Sequence, residues 1–258
     1  MLGTIAERPG RRAMRRDSAT TFPDETERGE CRDAVYFPAL PFASCFAYSP
    51  GGDGPACEEG RLLRARLKAA DETWLPRWVA RVWLEAVGHG RFASSLDRVI
   101  LVPVPGSAPV HGAPWVGERL AWCLKEVGLA ADVWPVLRRR RAVRKSAFAP
   151  AGERPSVLEH YASFAIERAR FDRAPIGREG LVRETAGYPL RLTLVDDVIT
   201  RGRTLLAAAG RLREAFPGAE IRAFALLRTL ARDEKLCRLL DPCEGEVRWV
   251  LGDARRVP

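Results

Sequence analysis

The sequence predicts an α/β fold: a mainly parallel sheet flanked by helices, preceded by a polar tail. Short apolar runs, typical of buried strands, alternate with longer segments whose apolar residues recur at helical spacing. One apolar run, residues 192–195, ends in two acids and a glycine-containing turn that leads into a helical pattern. With 258 residues, 47% of them hydrophobic, the chain can bury one substantial core.

The first 33 residues differ in composition from the rest. Residues 1–33 are rich in charge, proline and glycine and lack apolar periodicity, so we interpret them as a flexible basic tail before a domain spanning 34–258. The alternative is a basic arm that binds nucleic acid. Residues 34–60 contain aromatics, prolines and several glycines, which we interpret as an irregular but packed segment.

The first half of the domain shows two helices and two strands. Residues 74–87 repeat tryptophan, leucine and valine at helical spacing up to Gly88, and we interpret these tryptophans as core residues. A buried strand at 99–102, a helix at 115–127 and a short strand at 133–137 follow.

The second half continues the alternation. Ser156 and Glu159 fit the capping box of a short helix, and residues 162–166 form a strand pattern. The strand at 192–195 leads to a helix that extends to Phe216. The remaining segments predict a strand at 221–227, a turn at 241–245 and a last strand at 247–251.

Charge and cysteine content narrow the class of protein. The net charge of +9 favours polyanionic ligands, but it does not separate a diphosphate from nucleic acid. None of the six cysteines forms a Cys-x-x-Cys pair, so neither a zinc site nor a disulfide framework is indicated. No apolar segment follows the N-terminal arginines and none approaches membrane-spanning length, so we expect a cytoplasmic protein without a membrane partner.

The acids after the central strand are the strongest functional signal. Ligands of open α/β sheets bind at the carboxyl ends of the strands, where Asp196 and Asp197 are expected to lie. Residues 200–204 then lead into a helix whose free N–H groups favour an anion. Carboxylates accept hydrogen bonds from sugar hydroxyls or coordinate a metal, so the segment fits a ribose 5-phosphate. The alternative is a strand ending in acids as in many other nucleotide-binding or phosphoacceptor folds.

Residues 192–205 resemble the phosphoribosyl-diphosphate signature of type I phosphoribosyltransferases: an apolar strand, two acids, two apolar residues and Thr-x-Gly-x-Thr. Four further segments, in order, are similar to the ComF-like branch of that family: residues 61–68, the tryptophan-rich helix, 102–105 and 137–139. Residues 145–164 are similar to its mobile segment, more weakly. The resemblance covers about residues 60–230 and does not include the N-terminal zinc ribbon with which ComF-like proteins usually begin.

The resemblance implies a phosphoribosyltransferase-type fold, doubly wound, with a hood segment over the sugar phosphate. It assigns the catalytic role and the ribose hydroxyls to Asp196 and Asp197. It implies Mg²⁺, bound mainly through the substrate diphosphate and without a protein ligand. The remaining substrate contacts that it implies are made by Thr200, Arg201, Gly202, Arg203 and Thr204.

Two departures from the family pattern concern charge, and a basic run could offset one of them. Residues 106–112 carry only His111 as a potential cation, where ComF-like proteins are usually rich in arginine. The basic run 138–145 could supply the missing charge, so Arg144 and Lys145 are candidate diphosphate contacts. The same run could instead bind nucleic-acid phosphates or be a solvated loop. Thr200 replaces an acid of the purine-salvage enzymes, which disfavours purine salvage.

Two functional hypotheses follow. The first is a phosphoribosyltransferase that binds phosphoribosyl diphosphate, or a nucleotide containing ribose 5-phosphate, and transfers the phosphoribosyl group to an acceptor that the sequence does not identify. The second is a non-catalytic ComF-like sensor or adaptor in a DNA-linked process such as DNA uptake, with nucleic acid as a partner. His160 and Tyr161 could contact a base, but packing is the stronger expectation for both.

Overall fold

A computed structural model describes residues 37–69, 73–109, 114–144, 153–167, 189–231 and 234–258. Residues Tyr36–Pro258 are grouped into one unit by their contacts. The predicted tail, residues 1–33, lies outside the described residues, so its interpretation stays a prediction.

The core is organised around a seven-stranded sheet in the spatial order β3-β2-β6-β7-β1-β8-β9. The first five strands in this order are parallel, and the last two extend the sheet in antiparallel fashion. The predicted mainly parallel sheet is therefore confirmed. The strands are β1 Leu40–Tyr48, β2 Ile100–Pro103, β3 Asp132–Val133, β6 Arg191–Ile199, β7 Glu220–Thr229, β8 Leu240–Val250 and β9 Asp253–Val257.

Helices flank this sheet. The first four helices and strands β1, β2, β6 and β7 share a hydrophobic cluster, in which Leu67, Val79 and Leu120 are buried. The last helix, α6, packs against β6, β7 and the short helix α5. The helices are α1 Pro55–Lys68, α2 Leu75–Trp83 with a following π-helical turn Leu84–Gly88, α3 Ala93–Leu96, α4 Val116–Glu126, α5 Val157–Ser163 and α6 Arg203–Ala215.

A second, two-stranded sheet joins β4 (Leu137–Arg139) to β5 (Phe164–Ile166) in antiparallel fashion. Helix α5 immediately precedes β5 and begins with the predicted capping box. The Ser156 hydroxyl accepts a hydrogen bond from the Glu159 N–H at 3.1 Å, and the Glu159 carboxylate accepts one from the Ser156 N–H at 2.7 Å. The predicted short capped helix is therefore confirmed.

The interpretation of residues 34–60 as irregular was wrong. Strand β1 lies between β7 and β8, and α1 begins at Pro55. Eight of the nine residues of β1 are buried, because the strand is covered on both faces, and it therefore shows no polar–apolar alternation. The composition of the segment, with Pro41 and several aromatic residues, did not indicate this strand.

The C-terminal prediction was correct in part, since residues 247–250 form a strand as predicted. Residues 241–245 belong to β8 rather than to a turn, and β9 was not predicted. Gly245 is required by the close approach of β9, since a Cβ atom at this position would collide with the carbonyl oxygen of Val257. A glycine at a contact between strands was thus mistaken for a turn glycine.

Smaller differences concern boundaries and the tryptophans. Strand β3 ends at Val133 and β4 begins only at Leu137, so the predicted strand 133–137 is two strands. Helix α5 extends into the predicted strand 162–166. Trp78 packs against the core as predicted, whereas Trp83 is 41% exposed.

Candidate functional site

The acid pair, Asp196 and Asp197, lies near the carboxyl end of β6, a strand flanked on both sides by the parallel strands β2 and β7. This is the position that the sequence predicted for the two acids. Asp197 is 7% exposed, and Asp196 is partly buried. Two carboxylates in so little solvent need compensating partners.

The partners of the acid pair are a backbone N–H and a lysine. The Asp197 N–H donates a hydrogen bond to Asp196 Oδ1 at 2.8 Å. The Nζ atom of Lys68, the last residue of α1, forms an ion pair with Asp197 Oδ2. That oxygen has no well-aligned hydrogen bond, so the contact is mainly electrostatic. Burial, and then the neighbouring Asp197 carboxylate, raise the pKa of Asp196 above its ordinary value.

The signature turn, residues 200–204, leads directly into α6, as predicted. Gly202 is the N-cap of the helix and has φ 85°, a left-handed conformation that glycine adopts without strain. The N–H groups in the first turn of a helix have no intrahelical acceptor, and none of the described side chains caps them here. These groups and the helix dipole favour an anion at this position.

The two arginines of the turn contact the C-terminal strand. Arg203 donates to both carboxylate oxygens of Asp253, each at 2.5 Å, and Arg201 lies 3.2 Å from the same group. Burial is the largest single influence and raises the pKa of Asp253, but the hydrogen bonds from Arg203 and the Ala254 N–H, together with the charges of Arg203 and Arg201, hold the pKa below its ordinary value. The sequence assigned both arginines to substrate binding; here they bind a carboxylate of the protein.

Strand β9 covers one side of the turn through further contacts that the sequence did not predict. Arg256 donates to the carbonyl oxygens of Thr229 at 2.7 Å and Ile199 at 3.4 Å, where β7 and β6 end. A Cβ atom at Gly202 would lie 2.6 Å from Val247 Cγ2 of β8, so this glycine is also required by packing. In the sequence, only the presence of acidic and basic residues near the C-terminus indicated such contacts. Their partners could not be identified because they are distant in sequence.

Arg139 of β4 is a buried cation that interacts electrostatically with Asp196. Its side chain is buried and donates to the carbonyl oxygen of Gly106 at 2.6 Å and to the Ser163 hydroxyl. Burial lowers the pKa of Arg139 to about 10, while the Asp196 carboxylate favours its charged form. Gly106 begins the segment that lacks cations, so Arg139 supplies a charge that residues 106–109 do not carry.

His160 connects Arg139 to the signature turn. Its Nδ1 atom lies 3.1 Å from Arg139 Nη2, and its Nε2 atom lies 3.5 Å from Thr204 Oγ1. A guanidinium has no acceptor, so Nδ1 must accept and Nε2 must carry the proton. Burial, and then the Arg139 charge, lower the pKa of His160 to about 4, so the ring is neutral at neutral pH. His160 is therefore packed in the interior, as expected, and it also makes polar contacts.

The proposed diphosphate contacts are only partly within the structure. Arg144 is exposed and forms an ion pair with Glu153. Lys145 and His111 lie outside the described residues. Thr200 is exposed, with its hydroxyl 3.1 Å from that of Thr229. Arg144 lines an open cavity of about 500 Å³ together with Glu153, Arg154, Pro155 and Glu159.

Two further features bear on the chemistry of the chain: metal ligands and membrane-spanning helices. In the described part of the chain, no group of three or more His, Cys, Asp or Glu side chains could hold a metal ion. Across the same ranges, no helix has the length and apolar character needed to cross a membrane.

No model of a known protein family matches the chain, and none of the curated proteins compared with it is significantly similar. Function is therefore inferred from the chemistry of the site. The site presents hydrogen-bond acceptors at the end of β6 beside backbone donors at the uncapped start of α6, which together suit a ligand with neighbouring hydroxyl and phosphate groups.

Proposed function

We propose that this protein binds the phosphoribosyl group of phosphoribosyl diphosphate, or of a nucleotide containing ribose 5-phosphate, at the carboxyl end of β6. The single observation that carries the proposal is the placement of the acid pair and an uncapped helix start on one continuous segment that begins with the central parallel strand. The 5-phosphate accepts hydrogen bonds from the first turn of α6 and the Thr204 hydroxyl. The ribose hydroxyls donate to Asp196 and Asp197.

The proposal extends to a phosphoribosyltransferase-type fold in which β4, α5 and β5 are the hood segment. Two contacts support it. Arg139 of β4 is hydrogen-bonded to the segment after β2 and to α5. Arg203 Nη1 of the turn contacts the carbonyl oxygens of Arg154 and Pro155, at 3.3 and 3.2 Å, just before α5. The hood segment and the signature turn are therefore neighbours.

The proposed reaction is transfer of the phosphoribosyl group. Diphosphate leaves the anomeric carbon, an acceptor nucleophile enters, and positive charge develops on the ribose ring in between. The acid pair fixes the ribose hydroxyls and faces this developing charge, while the first turn of α6 fixes the 5-phosphate. Mg²⁺, carried by the diphosphate rather than by protein ligands, would offset the charge of the leaving group. Arg144 and Lys145 remain the proposed protein contacts of the diphosphate.

A second candidate is a non-catalytic sensor or adaptor that binds the same ligand in a DNA-linked process. The observation that favours it is the engagement of cations near the site by acids of the protein. Arg144 is paired with Glu153, and Arg203 with Asp253, so neither is available to a diphosphate without exchanging partners. The net charge of +9 is compatible with nucleic acid as the further partner. Both proposals place the protein in the cytoplasm.

Calorimetric titration tests the binding proposal. The wild type should bind ribose 5-phosphate, and Asp196→Asn with Asp197→Asn should weaken that binding far more than the binding of inorganic phosphate, because only the hydroxyl partners are changed. Equal losses for both ligands would contradict the assigned role of the acids. Release of diphosphate across a panel of amine and base acceptors separates the two candidates, since the adaptor releases none.

A further inference from the structure

The acid pair already has a cation of the protein. The side chain of Lys68 is 53% exposed, yet its ammonium group reaches the carboxylate of Asp197, whose side chain is only 10% exposed. Because Lys68 is the last residue of α1, the end of that helix fixes where the charge is placed. A divalent cation bound to Asp197 would have to displace this ammonium group or lie beside it.

The second carboxylate, Asp196, has no ion pair of its own among the described residues. It accepts the N–H of Asp197, and the charge of Lys68 acts on it as well. Lys68 is thus the cation that faces both acids. Mg²⁺ sites in proteins depend on uncompensated carboxylates and a complete oxygen shell. The acid pair offers neither in this arrangement.

The side expected to face the diphosphate is described only in part. Residues 106–109, the described part of the segment after β2, carry no charged side chain. Arg139 contacts this segment but directs three of its N–H groups to Gly106, His160 and Ser163. The phosphate donors of α6, by contrast, are backbone groups that need no additional cation.

We infer that Lys68 is the cation of the acid pair and a further ribose-binding residue, so that the ribose 5-phosphate part of the ligand binds there without a divalent cation. This inference rests on the proposed function and adds Lys68 to the residues that bind the ribose. The ammonium group donates to a ribose hydroxyl oxygen, while the carboxylates accept from the hydroxyl hydrogens.

Titration of the full-length protein with ribose 5-phosphate, in excess EDTA and in excess Mg²⁺, tests this inference. The wild-type affinities should agree within about twofold. Lys68→Met should lose about tenfold or more in EDTA because a charged hydrogen bond is removed, and Lys68→Arg should retain most of the affinity. Lys125→Met is the matched control, since Lys125 pairs with the buried Asp132 at 2.6 Å on other elements of the fold, and it should bind as the wild type does.

Mn²⁺ binding followed by electron paramagnetic resonance gives a readout that does not depend on the sugar phosphate. Lys68→Met should acquire Mn²⁺ binding that Asp197→Asn removes, whereas the wild type and Lys125→Met should show none at the acid pair. Mg²⁺-dependent binding of ribose 5-phosphate by the wild type, or Mn²⁺ binding equal in the wild type and Lys68→Met, would overturn the inference. A wild type that binds no ribose 5-phosphate defeats the proposed function, while the Mn²⁺ comparison still decides the role of Lys68.

Discussion

The two sides of the candidate site are built differently. On the side where we propose that phosphate binds, the donors are the backbone N–H groups at the start of α6, and the acids lie a few residues earlier on the same segment. On the opposite side, β4, α5 and the segment after β2 meet through Arg139, and the described cations there are engaged by carbonyl, imidazole or carboxylate groups. One side is ready for an anion, whereas the other must rearrange before it can bind one.

This difference shows what a short motif determines and what it leaves open. The motif consists of a strand, two acids, a glycine turn and a helix, all within about one supersecondary unit. Local sequence is therefore sufficient to place the backbone N–H groups that we propose bind phosphate. The supply of charge depends instead on residues from distant elements, and these can bind one another as readily as a ligand. Binding of ribose phosphate is therefore better supported than transfer from a diphosphate.

The largest loss of stability is expected when the buried charge of Arg139, on the side formed by β4 and α5, is removed. Arg139→Met leaves the Gly106 carbonyl, His160 and Asp196 without their buried partner, so the free energy of unfolding should fall by about 3 kcal/mol. Arg248→Met is the control, because Arg248 pairs with Glu246 on an exposed part of β8 and should cost less than about 1 kcal/mol. Urea unfolding measures both, and equal losses would show that Arg139 is not the central partner.

Gly202→Ala tests the phosphate side. A Cβ atom at this position meets Val247 Cγ2 at 2.6 Å, and the φ of 85° is strained for alanine, so we expect a loss of about 2–3 kcal/mol and of phosphate binding. Gly218→Ala separates the two causes, because Gly218 has φ 86° but a Cβ atom added there would meet no atom within 4 Å. It should lose only about 1 kcal/mol and bind phosphate normally. Similar losses in both variants would exclude a packing role for Val247.

The smallest effect is a change in pH dependence. The pKa of His160 lies at about 4 in the folded protein and near the ordinary 6.5 in the unfolded chain, so the unfolded state binds the proton first as pH falls. Its stabilising contribution is complete above pH 6.5 and is lost progressively as the pH falls towards 4. His160→Gln should show a shallower decline in urea titrations over this range. An unchanged slope would mean that other groups dominate.

Local sequence predicted the β6–α6 segment and the capped helix α5 because their signals lie within a few residues. Strand β1 was not predicted because a strand that is buried on both faces shows no polar–apolar alternation. Gly245 was assigned to a turn because the sequence does not reveal its close contact with β9. Lys68 and Asp253 carried no local signal of their roles. Each acts through a partner on another strand or helix, and only the fold brings these pairs together.

The central claim is that one ligand bridges the acid pair and the start of α6, and a crystal structure with ribose 5-phosphate tests it most directly. The account predicts the phosphate on the N–H groups of residues 203–205 and the ribose hydroxyls on Asp196 and Asp197, with Lys68 still beside Asp197. A phosphate bound at Arg144 while the turn of α6 stays empty at saturating ligand would contradict it.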